Sequence, residues 1–248
     1  MFSKAYIYEY GNGRLEPEHQ DVMEVLQARG MPCELFTSKR LARNQLVLNN
    51  QIFVVGDHPT ILTALKRLGV SITYQSYPNC LQAYLHRRVW TTTLKQLLAE
   101  AQMREIGPFF VKPQGKAKLF TGFVAESSAD LLSLDGYAKD TAVDCATVVH
   151  WQSEYRVFVN QGKIVGIRHY AGDNGLLLDM EKVKKAITHL TESMMATVAY
   201  GIDFGVLDNG QTALVEWNDG FALGSYGLEK EIYTDLLLAR WAELVKGI

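Results

Sequence analysis

Three cysteines in 248 residues, Cys33, Cys80 and Cys145, are too few and too scattered for a disulfide framework or a zinc site, and their number is odd. They read as reduced, buried thiols. The six histidines form no His-Glu-x-x-His pattern and no serine sits in Gly-x-Ser-x-Gly, so zinc hydrolysis and serine-triad chemistry have no support. No stretch approaches the roughly eighteen apolar residues of a membrane span. The start, Met1 to Tyr6, lacks the apolar core of a secretory leader, and the expectation is a cytoplasmic protein without a membrane partner. Neither sign of charge dominates. With 25 basic and 27 acidic residues dispersed along the chain, the net charge is −2 and no basic stripe points to nucleic acid. Internal repeats and low-complexity linkers are missing as well. What is present is 48% hydrophobic residues, enough to bury the core of one large domain or of two smaller ones packed together.

The first hundred residues alternate in the α/β manner. Strands are expected at Ala5–Tyr10, Pro32–Phe36, Ile52–Val55 and Val70–Tyr74, with helices at Pro17–Arg29, ended by Gly30, and Pro59–Leu68, stopped by Gly69. Gly11-Asn12-Gly13 follows the first strand, but Glu16 stands where a dinucleotide fingerprint has its third glycine, so a turn is the reading. A long helical segment is expected over Asn79–Gln102. Beyond Gly107-Pro108 the character changes: a strand Phe109–Pro113, a polar loop Gln114–Lys118, and a returning segment Leu119–Val124. A hairpin about Gln161-Gly162 joins Glu154–Val159 to Ile164–Tyr170. Asp179 caps a helix with Val183, Ala186, Ile187, Leu190 and Met194 on one face, and a closing helix covers Glu229–Val245. The expected organisation is an N-terminal α/β domain, 1–80, and a second domain, 81–248, whose two lobes meet near 147–153.

The most informative segment is Gly201–Asn218, two apolar runs joined by Asn209-Gly210, a strong hairpin signal. A two-residue loop puts Asp208 opposite Gln211, Leu207 opposite Thr212, Gly205 opposite Leu214 and Asp203 opposite Glu216, with Asn218 on the same face. Opposed carboxylates with Cβ atoms about 5 Å apart repel by roughly 3 kcal/mol at an effective dielectric of about 20. Either one carboxylate holds a proton or a hard divalent cation sits between them, and the neighbouring amide oxygen favours the cation. A solvated polar face is the plainer alternative.

Other charges stand where charges are costly. Lys112 ends an apolar strand and precedes a proline; its stem is expected to be half buried, the plain alternative being a lysine that snorkels out. Lys116 and Lys118 follow in the loop beside Gly115, and three clustered ammonium groups need a polyanion, for which nucleotide phosphates are the economical candidate. On the next hairpin Glu154, Arg156 and Phe158 point one way and Tyr155, Val157 and Val159 the other. Arg168 joins the face of Arg156 with a three-residue loop and the face of Tyr155 with a two-residue one. A surface Glu-Arg ladder is the alternative there.

In this order, Val111-Lys112-Pro113, Ser153-Glu154-Tyr155-Arg156-Val157-Phe158-Val159, and Asp203 with Glu216-Trp217-Asn218 resemble the ATP-grasp superfamily of carboxylate ligases over Arg87 to Asn218. Tyr77-Pro78, Leu85-His86-Arg87-Arg88-Val89-Trp90, Lys118-Leu119-Phe120-Thr121-Gly122 and Gly224-Ser225-Tyr226-Gly227-Leu228 look closer to the clade named for one arginine and two lysines, a set of predicted peptide ligases. The resemblance implies an α+β ATP-grasp fold behind a small N-terminal α/β domain. It implies ATP and magnesium, with Lys112, Lys116 and Lys118 at phosphates and Arg87 or Arg88 in place of the family's first phosphate-binding lysine. Val148, Val149 and His150 would supply the adenine-reading hinge, Glu154 the ribose contact, and Asp203, Glu216 and Asn218 the metal ligands.

The implied reaction joins a small-molecule or peptide carboxylate to an amine through an acyl phosphate. Gly201 stands where the D-alanine ligases carry an arginine, and Thr147 where they have an acidic residue. Arg156, Arg168 and Lys118 are therefore the candidates for the catalytic charge. A kinase-like phosphotransferase and a catalytically silent nucleotide-binding module are the alternative functions.

Overall fold

The computed structural model describes residues 2–73, 75–115 and 119–247, so Lys116 and Lys118 lie outside the described residues. Three sheets, each with its own apolar core, make up the fold. The first is parallel, β1 (Lys4–Tyr8), β2 (Cys33–Phe36) and β3 (Ile52–Val55) in the order β2-β1-β3, with α1 (Pro17–Ala28), α2 (Ser38–Ala42) and α3 (His58–Arg67) as connections. The central strand β1 and its neighbour β3 are short, largely apolar runs, as burial on both faces requires. Asp57 caps α3 by accepting from the Thr60 amide at 3.0 Å. The strand expected at 70–74 is not formed over residues 70–73; this stretch is the start of the linker to the next sheet.

The second sheet is antiparallel, β4 (Val89–Thr93), β5 (Phe109–Pro113), β6 (Phe123–Ala125) and β7 (Ala142–Thr147) in the order β4-β7-β5-β6, backed by α4 (Leu94–Met103). The single helix expected over 79–102 is a correction. A 3-10 helix at Asn79–Tyr84 is followed by β4 before α4 begins. The run Val89-Trp90-Thr91-Thr92-Thr93 is β-branched and aromatic, which favours a strand, and the Thr93 hydroxyl caps α4 by accepting from the Gln96 amide at 3.3 Å.

The third sheet, β8 (Trp151–Asn160), β9 (Lys163–Gly172), β10 (Ala199–Leu207) and β11 (Thr212–Asp219), runs β11-β10-β8-β9 and is fully antiparallel. Tyr155, Val157 and Val159 pack beneath it against α5 (Met180–Glu192), capped by Asp179 as expected. The closing helix α6 (Lys230–Leu244) packs on the first sheet, with Leu236, Leu237 and Trp241 in that core and the Trp241 indole donating to Ile52 O at 2.8 Å. The three cysteines are free; Cys145 is buried, and Cys33 and Cys80 are only partly so. Among the described residues no helix is long and apolar enough to cross a membrane.

Candidate active site

Asp203 and Glu216 are paired across β10 and β11, but not through a two-residue loop. Asp208, Asn209 and Gly210 form a three-residue turn in which Gly210, at φ 78°, takes the left-handed conformation and Leu207 N donates to Gln211 O at 2.9 Å. The pairs nearest the turn are consequently Val206 with Thr212, Gly205 with Ala213 and Phe204 with Leu214, one residue off the expectation. A bulge at Val215 then adds a residue to β11 and restores the register, so that Asp203 meets Glu216 after all. Arg87 holds that bulge. Its guanidinium donates to Leu214 O at 2.6 Å and to Val215 O at 2.7 Å, and lies 5.2 Å from the ring centre of Trp151.

A second irregularity decides the position of Arg168. The β8–β9 loop has two residues, with Asn160 opposite Lys163, but a shift between Phe158 and Val159 leaves Val165 unpaired and sets Arg168 opposite Arg156. One row across the sheet therefore reads Arg168, Arg156, Asp203, Glu216. Arg156 grips Asp203 with two parallel bonds, Nε to Oδ1 at 2.8 Å and Nη2 to Oδ2 at 2.6 Å. From the second sheet Lys112 reaches over and bonds Glu216. Asn218 Nδ2 lies 3.2 Å from Asp203 Oδ2 and 3.1 Å from Glu216 Oε1. The picture of two carboxylates repelling each other is thus corrected: each is matched by its own cation.

The electrostatics follow from burial set against these partners. Burial pushes the Asp203 carboxyl up to about 6 against the pull of Arg156. Burial alone would raise Glu216 too, yet Lys112 and the Asn218 amide hold it below the ordinary carboxylate range. Lys112 stays above its ordinary value because Glu216 outweighs its burial.

Around this row opens a cavity of about 420 Å³ that also admits Arg87, Val148, Val149 and Glu154 to its walls. Tyr170 and Tyr226 close one side. Their rings stack at 5.0 Å, the Tyr170 hydroxyl donates to Glu154 Oε2 at 3.1 Å, and the Arg156 guanidinium sits 4.8 Å from the Tyr226 ring centre. Burial raises Glu154 above the ordinary range, and the Tyr170 hydrogen bond works against that rise.

Other sequence candidates fall elsewhere. His150 is exposed and does not line this cavity. Arg168 turns away to Gly227 O, at 3.0 Å, and to Glu229, at 2.8 Å. Asn218 borders a separate, smaller cavity of about 90 Å³, with His58, Phe221 and Leu223. Tyr77, Trp151, Tyr170 and Tyr226 carry no site role in the sequence reading, because a lone aromatic has no spacing that marks it. Tyr77 and Tyr226 do fall within the segments that carried the resemblance.

A model of the ATP-grasp domain, family 2 of the clade named for one arginine and two lysines, matches residues 84–236, more than half of the chain. The chain belongs to this ATP-grasp family. Solved ATP-grasp structures share its fold. D-alanine–D-alanine ligase from Bacillus anthracis is 13% identical with a TM-score of 0.56, covering 98% of each chain. The ATP-grasp ligase PsnB, solved with a minimal precursor, is 14% identical with a TM-score of 0.52 over 97% of this chain and 100% of that one. A RimK domain ATP-grasp protein from Sphaerobacter thermophilus is 14% identical with a TM-score of 0.51 over 95% and 99%. None of the curated proteins compared matches this sequence.

The donor set suits the magnesium that ATP-grasp ligases use with ATP. Among the described residues no three His, Cys, Asp or Glu side chains come together as a metal cage. The set here is instead two carboxylates and one amide converging within hydrogen-bond distance, all hard oxygen ligands once the Asn218 amide turns its oxygen inward. Magnesium is bound by few protein carboxylates and fills its shell with phosphate and water.

Proposed function

We propose that the protein is an ATP-dependent carboxylate–amine ligase that works through an acyl phosphate. The observation that carries this reading is the make-up of the cavity: Arg87, Lys112 and Arg156 face Glu154, Asp203 and Glu216, and the described lining holds no serine, cysteine or histidine. Such a site is equipped to align reactants and neutralise charge rather than to attack a substrate itself.

In the proposed reaction a carboxylate oxygen attacks the γ-phosphorus of ATP and ADP leaves. The amine then attacks the acyl carbon, phosphate leaves, and the amine gives up its proton. Val148 and Val149 would contact adenine and Glu154 the ribose hydroxyls, while Lys112, released from Glu216, would hold phosphate. Asp203, Glu216 and Asn218 would hold magnesium, which supplies positive charge to the phosphate oxygens. Arg87 would add its charge while keeping the bulge in place.

Arg156 is our candidate for the arginine absent at Gly201. A Cβ at Gly201 would stand 3.2 Å from both Leu223 methyls and 3.3 Å from Arg156 Cδ, so the space over that glycine is filled by Leu223 and by the neighbouring strand's arginine. Its guanidinium is then set beside Asp203, where charge on a transferred phosphoryl group would develop. A peptide or amino acid is the proposed carboxylate substrate, in keeping with the similar folds of PsnB, solved with a minimal precursor, and of the macrocyclase MdnC, solved with a precursor peptide.

A screen of amino acids and short peptides for ADP release tests the reading. Release that requires both a carboxylate and an amine, with a hydroxamate trapped by hydroxylamine, is expected. ADP release to a single hydroxyl acceptor without hydroxamate would replace the ligase by a phosphotransferase, and nucleotide binding without release under any acceptor pair would leave a silent module.

A further inference from the structure

Tyr226 has a conformation and a place that core packing does not explain. Its φ of 47° lies in the left-handed region, which bulky side chains rarely adopt, and the residue is 46% exposed. It belongs to none of the three apolar cores. The backbone around it is nonetheless firmly held. Ser225 N donates to Glu18 Oε1 of α1 at 2.6 Å, Arg168 Nε of β9 donates to Gly227 O at 3.0 Å, and the Tyr233 hydroxyl of α6 donates to Leu223 O at 2.6 Å. Leu228 fills the space over Gly166, where a Cβ would stand 2.3 Å from its Cδ1. Backbone strain that persists because its surroundings over-determine it clusters at functional positions.

These anchors present one aromatic face to the cavity. The Tyr226 ring lies against Tyr170, with planes 27° from parallel, and over the Arg156 guanidinium at 4.8 Å. A guanidinium is weakly hydrated and stacks on aromatic rings. Arg156 is therefore supported twice, at its edge by Asp203 through Nε and Nη2 and on one face by Tyr226. Neither bond to Asp203 uses Nη1. The two supports differ once the site is loaded. Asp203 is one of the proposed magnesium ligands, and carboxylate oxygens shared with a cation grip the arginine less tightly. The ring has no such second task.

We propose that Tyr226 is a positioning residue for Arg156: its ring keeps the guanidinium in place when Asp203 is shared with magnesium, so that Nη1 remains free to donate to a phosphoryl oxygen. The effect on turnover rests on the ligase reading, whereas the hold on the side chain is a property of the chain itself. Removing the ring leaves the charge of Arg156 in the cavity and loosens its direction. Loss of direction acts on the transition state more than on bound ATP, because a small misplacement of a charged group is costly in rate. The strained loop and its anchors on α1, β9 and α6 then have a common purpose, which is to hold one ring against one guanidinium.

The test uses the full chain with magnesium and ADP. Nitrogen-15 NMR follows the Arg156 Nε proton, assigned by its loss in Arg156→Lys, and reads its exchange with solvent. Tyr226→Gly removes the ring and suits the left-handed backbone, so the loop should keep its anchors. Tyr226→Asn also tolerates that backbone and repeats the measurement if glycine loosens the loop. Exchange about tenfold faster or more is expected in both variants, as loss of a desolvated cation–π contact implies, and Tyr226→Phe should restore slow exchange. In the ligase assay Tyr226→Gly and Tyr226→Asn should lower kcat about tenfold or more while KM and ATP affinity change less than about threefold, and Tyr226→Phe should recover most of the loss. Unchanged exchange without the ring would overturn the proposal, as would undiminished kcat or an equal loss in Tyr226→Phe. If no carboxylate and amine pair releases ADP, the ligase reading fails by itself and the exchange rates still decide the role of Tyr226.

Discussion

Replacing Glu216 with Gln separates two views of the charge row by the sign of a stability change. If Asp203 and Glu216 simply repelled each other, removing one charge would stabilise the protein without metal. The structure implies the reverse, because Glu216 is the partner of Lys112, whose side chain is only 15% exposed, against 28% for Glu216. Exposed ion pairs contribute about 0–1 kcal/mol, whereas stripping one partner from a fully buried pair costs about 3–5 kcal/mol. For a pair buried to this degree we expect a loss of about 2 kcal/mol. In a chain of this size that lowers the melting temperature by about 4–8 °C. The assay is urea and thermal unfolding in chelator, with the midpoint moving and the slope against urea unchanged. Adding Lys112→Met to Glu216→Gln should recover at least half of the loss, since no unmatched ammonium remains. A melting temperature unchanged or raised by Glu216→Gln alone would refute the pairing.

Arg87→Lys should destabilise the chain by about 2 kcal/mol, since a lysine cannot bridge Leu214 O and Val215 O together, whereas Arg88→Lys should stay within about 0.5 kcal/mol because Arg88 is exposed over Trp90; urea unfolding compares the two. In the ligase assay Arg156→Lys should lower turnover about a hundredfold while ATP affinity changes little, and Arg168→Lys, which loses contacts to Gly227 and Glu229 outside the cavity, should leave turnover within about threefold. His19 is buried with Nδ1 3.3 Å from Tyr8 O, and burial lowers its pKa. The unfolded chain therefore takes up a proton below about pH 6.5 that the folded chain resists, stability falls as pH drops through that range, and His19→Gln should flatten this part of the profile.

The sequence made the Asp203–Glu216 pairing legible through Asn209-Gly210, yet the local register along the way was off by one. Turn and bulge cancel, and neither is written locally: the carbonyls of the bulge are held by Arg87, well over a hundred residues upstream. The same holds for Arg168, whose place opposite Arg156 depends on an extra residue, Val165, that alternation alone does not reveal. Strand β4 was readable from its β-branched run and was masked by apolar spacing that also fits a helix. The cations that match Asp203 and Glu216 come from β8 and β5, so their pairing is a property of sheet packing rather than of any hairpin.

Calorimetric titration of ATP into the wild-type chain, with magnesium and then with chelator, asks whether Asp203, Glu216 and Asn218 hold a metal that serves a nucleotide beside Lys112 and Arg156. Binding in magnesium should weaken at least about tenfold in chelator, as expected when two carboxylates face the phosphates without a cation between them. Equal affinity in the two titrations would contradict it.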